Sequence, residues 1–313
     1  MAGEDRQDPG RGCLKAKVKF KTFSPQSSQR TQRKAKATCF SSVGSVSSVA
    51  SVFMIGVFDS GLGGLSVLAA IARALPRADL AYYADTAHVP YGSKPDDFIR
   101  ERVLTIGRHL AALNCKVIVV ACNTATAAAV DALRQALPHI PVVGVEPGIK
   151  PAAAASRSRH IAVLATESTA RSERLAKLIH THATSVKVQV EPCPGWATRV
   201  ESLQLDGAEF AAEVAAKVSP LLLAGADQLV LGCTHYSFLS PLLQPLVDGR
   251  AELVDVADAV ARQVLRLSGA HAEGHATLKL FASAHPERLH AALPRLGLHW
   301  LAERANSAML HHA

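Results

Sequence analysis

Two cysteines stand in matching settings 111 positions apart. Cys122 ends the apolar run of VIVVACNTATAAA, and Cys233 ends that of LVLGCTHYSFL. Small polar residues that can hold a ligand follow each one, Asn123 and Thr124 after the first, Thr234 and His235 after the second. Two thiols on opposite sides of one substrate suit two-base proton transfer. One thiolate removes a proton from a tetrahedral carbon, and the opposing thiol supplies another to the other face. The competing reading is a small, inert, buried hydrophobe, and it is the reading given to Cys115 and Cys193. On these residues alone both readings stand. A Cys–His nucleophile is less apt, because Cys233 and His235 are too close along an extended segment to face each other. It would also leave Cys122 unexplained. The six cysteines show no CxxC pair, and the 14 histidines no metal spacing, so no metal site is expected.

A second candidate is DSGLGGLSVL after Ile55–Phe58. Gly61, Gly63 and Gly64 allow a tight turn into a helix start whose free N–H groups can hold an anion. An incomplete dinucleotide fingerprint is one reading, with Ser66 in place of the last glycine and Asp85 as ribose partner. A carboxylate or phosphate pocket needs less, and Asp59–Ser60 at the strand end suit it. In YYADTAHVPYGSK, Pro90 and Gly92 bracket Tyr91 in what reads, by itself, as a plain turn.

These residues need a scaffold, and the pattern supplies one. Short β-branched runs predict strands at 55–58, 80–83, 117–120, 142–145, 160–164, 186–190, 228–231 and 252–256. Longer Ala/Leu-rich segments predict helices at 65–74, 97–113, 126–137, 169–180, 209–223 and 257–267. Strands buried on both faces, alternating with crossover helices, imply an α/β architecture with parallel sheets. Ligands of such sheets sit beyond the carboxyl ends of the strands, where both cysteine segments fall.

The net charge of +8 is concentrated at the start of the chain. Residues 1–53 carry ten Lys/Arg and three Asp/Glu, and the remaining 260 residues are nearly neutral at +1. No basic stripe calls for nucleic acid, and no apolar run is long enough to cross a bilayer. The basic, Ser-rich residues 1–53 read as a disordered extension ahead of Met54, with a cleaved transit peptide as the lesser alternative. Six scattered cysteines without a disulfide framework point to a reducing, cytoplasmic setting.

Taken in order, IGVFDSGLGGLSVL, YYADTAHVPYGSK, VIVVACNTATAAA, PVVGVEPGIKPA and LVLGCTHYSFL resemble glutamate racemase, over roughly Ile55 to Leu298. The resemblance implies cofactor-independent interconversion of L- and D-glutamate, supplying D-glutamate to peptidoglycan. It implies that Cys122 acts on the D-enantiomer and Cys233 on the L-enantiomer. Asp59 and His235 match the family's assisting residues, and Glu201 is the best match to its assisting glutamate. Asp59, Ser60, Tyr91, Gly92, Asn123, Thr124, Thr166, Thr234 and His235 would bind substrate. Two α/β domains facing each other across the active-site cleft are implied, at 54–148 plus 258–300 and at 149–257, with 301–313 as a C-terminal tail. A homodimer is implied too, and in some members a cell-wall precursor activates. Two departures stand out: DVADAV at Asp255–Val260, and a missing glycine in ATESTARSE near Thr166 and Thr169. An aspartate or related amino-acid racemase of the same superfamily is the alternative.

Overall fold

The computed structural model describes residues 53–269 and 273–310. The reading of 1–53 as an extension therefore lies outside the described residues, apart from Phe53. Among the described residues nine strands form two sheets, both wholly parallel. Strands β1 (Met54–Asp59), β2 (Asp79–Ala84), β3 (Cys115–Val120) and β4 (Val142–Gly144) form the first with β9 (Leu278–Ala282), in the order β4-β3-β1-β2-β9. Strands β5 (His160–Ala165), β6 (Lys187–Pro192), β7 (Gln228–Leu231) and β8 (Glu252–Val254) form the second, in the order β6-β5-β7-β8.

The helices are α1 (Leu65–Ala74), α2 (Asp96–Ala112), α3 (Asn123–Ala136), α4 (Ile149–Ala155), α5 (Glu167–Arg171), α6 (Glu173–His182), α7 (Trp196–Glu201), α8 (Ala208–Leu223), α9 (Ser240–Val247), α10 (Ala257–Ser268), α11 (Pro286–Arg295) and α12 (His299–Leu310). Alternate side chains of β1 serve opposite faces. Ile55 and Val57 pack into a core shared with α1 and α10–α12, while Phe58 joins Ile99, Val103, Ala125 and Leu133 from α2 and α3. The second sheet repeats the scheme. Leu164 and Leu231 meet α7–α9 on one face, and Ile161 and Val163 meet α4 and α6 on the other. Among the described residues no helix is long and apolar enough to cross a membrane.

Three differences from the sequence-based expectations have physical causes. The single helix expected at 169–180 is two, because Ser172 ends α5 in an extended conformation and caps α6, its side chain accepting from the Leu175 N–H. That cap satisfies one of the free donors of a helix start. The stretch expected as a tail from residue 301 continues α12, with Leu301 and Ala305 buried in the first core; residues 311–313 lie outside the described part. Finally, DVADAV is a turn that enters α10, where the Asp255 carboxylate accepts from the Ala257 N–H at 2.8 Å.

Register brings the chemistry to one place. Asp59 pairs with Ala84 and Phe58 with Val120, so Asp59, Asp85 and Cys122 leave adjacent strands at the same edge. In the second sheet Leu164 pairs with Leu231, which sends Thr166 and Cys233 out together. Gly232 is required there, since a Cβ would stand 2.7 Å from the Leu164 carbonyl oxygen.

Candidate active site

Each cysteine is the residue ahead of a helical turn. Cys122 caps α3, and its Sγ accepts from the Ala125 N–H at 3.4 Å and lies 3.9 Å from Ser60 Oγ. Cys233 precedes a 3-10 turn over Thr234–Leu239. Both are 6% exposed. Burial pushes the Cys122 thiol well up, and the nearby Asp59 carboxylate and Cys233 add to the rise. The two sulfurs thus share one electrostatic environment, although they belong to different sheets.

The turn after Cys233 corrects one expectation. Because the chain coils rather than extending, His235 Nδ1 comes back to 3.6 Å from Cys233 Sγ, and the two residues do face each other. On the far side of the ring, Nε2 lies 2.5 Å from Glu201 Oε1. That oxygen also accepts from the Leu62 N–H at 2.6 Å, tying α7 to the turn after β1. Burial opposes charge on His235, yet its contacts with Cys233 and Glu201 raise its pKa well above the ordinary value. The result is a continuous chain of contacts from carboxylate to imidazole to thiol.

Asp59 lies on the other side. It is fully buried, its Oδ1 accepts from the Gly61 N–H at 2.7 Å, and its Oδ2 accepts from Thr234 Oγ1 at 3.2 Å. Burial raises its pKa, against the pull of His235. The glycine turn makes room for all of this. A Cβ at Gly63 would sit 2.3 Å from His235 Nδ1.

Between the sheets lies a cluster of hydroxyls. Thr124 Oγ1 is 3.1 Å from Thr166 Oγ1 and 3.4 Å from Thr169 Oγ1. Asn123 is buried, and its Nδ2 has no hydrogen-bond partner among the described residues, which leaves a donor for a ligand's oxygen. Gly92 closes this side, where an added Cβ would stand 3.2 Å from Thr166 Cβ. Tyr91 is buried beside it, its hydroxyl donating to Asp85 Oδ2 at 2.6 Å. All twelve candidate residues therefore converge on the facing strand ends. Two neighbours of these residues are absent from the sequence-based set, Thr169 beside Thr124 and the Asp85–Arg102 pair beside Tyr91. The sequence points to Thr169 only through the missing glycine of ATESTARSE nearby. Asp85, considered as a ribose partner, is instead held by Arg102 through two contacts of 2.9 Å. Among the described residues no group of three or more His, Cys, Asp or Glu is placed to hold a metal ion.

Comparison with known proteins agrees with this arrangement of strands. Residues 55–264 match the Asp/Glu/Hydantoin racemase family model. A glutamate racemase of Ectopseudomonas mendocina is 46% identical over 246 residues, covering 77% of this chain and 94% of that protein. One from Pseudomonas aeruginosa PAO1 is also 46% identical, covering 77% and 93%. Among solved structures, a Bacillus anthracis glutamate racemase isoform superposes with a TM-score of 0.73 at 32% identity, covering 81% of this chain and 95% of that one. The Escherichia coli glutamate racemase, solved with L-glutamate and the activator UDP-MurNAc-Ala, gives 0.70 at 30%, covering 78% and 95%.

Proposed function

Since the chain belongs to the Asp/Glu/hydantoin racemase family, and within it to the glutamate racemases, we propose that it interconverts L- and D-glutamate by proton transfer between Cys122 and Cys233, without a cofactor. The observation that carries the proposal is the pair of buried thiols leaving two facing sheets, each with its own acid–base neighbour.

From L-glutamate, Cys233 as thiolate takes the α-proton, so the Cα–H bond breaks as an S–H bond forms. Cys122 as thiol gives its proton to the opposite face, and D-glutamate leaves. From D-glutamate the roles reverse. His235, at 3.6 Å, accepts or returns the Cys233 proton, and Glu201 holds the ring for that exchange. Asp59 serves the Cys122 side. Burial favours a protonated Cys122, the state in which it donates. The α-proton is a very weak acid, so the developing negative charge needs fixed donors in a site free of water. Asn123 Nδ2, the hydroxyls of Thr124, Thr166 and Thr234, and the backbone around Ser60 and Gly92 are the groups assigned to hold the substrate's charged ends.

The product, D-glutamate, would feed peptidoglycan synthesis in the cytoplasm, from a homodimer of two-domain subunits. The first domain is assigned to 54–148 plus 258 to the end of α12, and the second to 149–257. The test is circular dichroism of purified protein with L-glutamate, L-aspartate, or L-glutamate plus UDP-MurNAc-Ala. Loss of the glutamate signal, with aspartate untouched, is expected. Loss with aspartate alone would move the assignment to the aspartate racemases, and inertness toward both amino acids, with the precursor present, would overturn the proposal.

A further inference from the structure

Asp85 is a fully buried carboxylate outside the relay, and side chains of three residues, Arg102, Tyr91 and His88, converge on it. Arg102 Nε and Nη2 of α2 grip both its oxygens at 2.9 Å. The Tyr91 hydroxyl donates to Oδ2 at 2.6 Å, and His88 Nδ1 lies 3.1 Å from Oδ1. The backbone of Asp85 is itself pinned, its N–H donating to the Asp59 carbonyl at 3.0 Å. Burying an ion pair is costly, and this one ties α2, through Arg102, to the loop from 85 to 94, whose His88 and Tyr91 share the same carboxylate.

The same loop is fastened from the chain's returning segment. The Ala87 N–H donates to Ser283 Oγ at 2.9 Å, and the Ala284 N–H to Thr86 Oγ1 at 3.1 Å. What this frame presents to the cleft is Tyr91–Gly92. Tyr91 packs in one cluster with Cys122, and Gly92 lies against Thr166 of the opposite sheet. We infer that Asp85, braced by Arg102, is a positioning residue that sets the Tyr91–Gly92 segment at the height at which it holds substrate. The inference rests on the racemase reading for what that segment binds, and on the hydrogen-bond geometry for how it is held.

Tyr91→Phe removes the hydroxyl and leaves the ion pair. Losing a hydrogen bond to a charged partner predicts a KM about tenfold higher, with kcat within about twofold. Asp85→Asn should raise KM at least as much, and the double variant no further than Asp85→Asn alone, because both changes cut one contact. Arg102→Lys keeps the charge but loses the two-pronged grip. It should raise KM in the same way and covers the case in which Asp85→Asn fails to fold. Multiplying KM effects in the double variant, or variants that lower the melting temperature while leaving KM unchanged, would overturn the inference.

Hydrogen exchange of the intact variants supplies a readout that needs no substrate. Faster exchange confined to residues 86–94 is expected, whereas a rise spread evenly over both sheets would make Asp85 merely a stabilising group. If the parent protein proves inert toward glutamate, the exchange result still decides the positioning claim, and only the racemase reading falls.

Discussion

Substituting Glu201 by Gln tests the relay on the Cys233 side. Gln keeps the shape and an oxygen for the Leu62 N–H, so the change is chiefly the loss of the charge 2.5 Å from His235 Nε2. Hydrogen bonds to charged groups contribute about 1.5–3 kcal/mol. If that energy is realised in the transition state, kcat/KM falls roughly 10- to 150-fold. The fall must be equal in both directions, because two enantiomers are equal in free energy. The asymmetry appears instead in isotope effects. Slowing only the Cys233 step makes that step limiting, so α-deuterated L-glutamate should show a larger effect on kcat/KM than α-deuterated D-glutamate. The stability sign follows from His235, whose raised pKa depends on this partner. A raised histidine contributes fully below its unfolded value of about 6.5 and loses the contribution as pH rises through the folded value. The stability gap between parent and Glu201→Gln should therefore be widest below that pH and narrow above it, as read by denaturant melts. Unchanged kcat/KM, or a larger isotope effect from the D side, would refute the placement of Glu201 in the Cys233 relay.

Two further outcomes follow from the geometry. Gly63→Ala puts a methyl 2.3 Å from a ring held at both ends, by Cys233 and Glu201. Overpacking of this kind costs about 1–3 kcal/mol, and kcat/KM should fall about a hundredfold if His235 is displaced; activity equal to the parent's would show that the ring gives way freely. The Asp85 carboxyl is held down to about 2 by Arg102 and Tyr91 despite its burial. A depressed carboxyl stabilises above its unfolded value and loses that contribution as pH falls through the folded one. The pair should thus surrender about 2 kcal/mol between roughly pH 4 and 2, visible as a steeper acid limb in the parent than in Asp85→Asn.

The sequence carried the scaffold where the burial signal was strong. β1, β5 and β7 are buried along their whole length and apolar but for one end residue each, Asp59, His160 and Gln228, and the expected strands match them within about two residues. The polar tails of β3 and β7 then pointed to the cleft, since parallel sheets present their carboxyl ends to ligands. Weak local signals hid the rest. Among the described residues β9 is an edge strand, paired with β2 alone and half-buried over most of its length. Lys279 interrupts its apolar run. The six residues of α7 begin after a left-handed Gly195, too few for a helical period to show. The return of His235 onto Cys233 depends on a 3-10 turn, which leaves no periodic trace in six residues. The Asp85–Arg102–Tyr91 set joins a strand exit, a helix and a loop across 17 residues, and nothing in local sequence announces a tertiary ion pair.

The central claim, that two different cysteines work on opposite faces of one carbon, is tested most directly in deuterated water. Protonated L-glutamate is converted for well under one turnover of the pool, and both enantiomers are then separated and weighed. The account predicts D-glutamate carrying one α-deuteron and residual L-glutamate carrying none, with Cys122→Ser and Cys233→Ser each crippled in both directions. D-glutamate that keeps the original α-proton, or a cysteine variant that matches the parent, would contradict it.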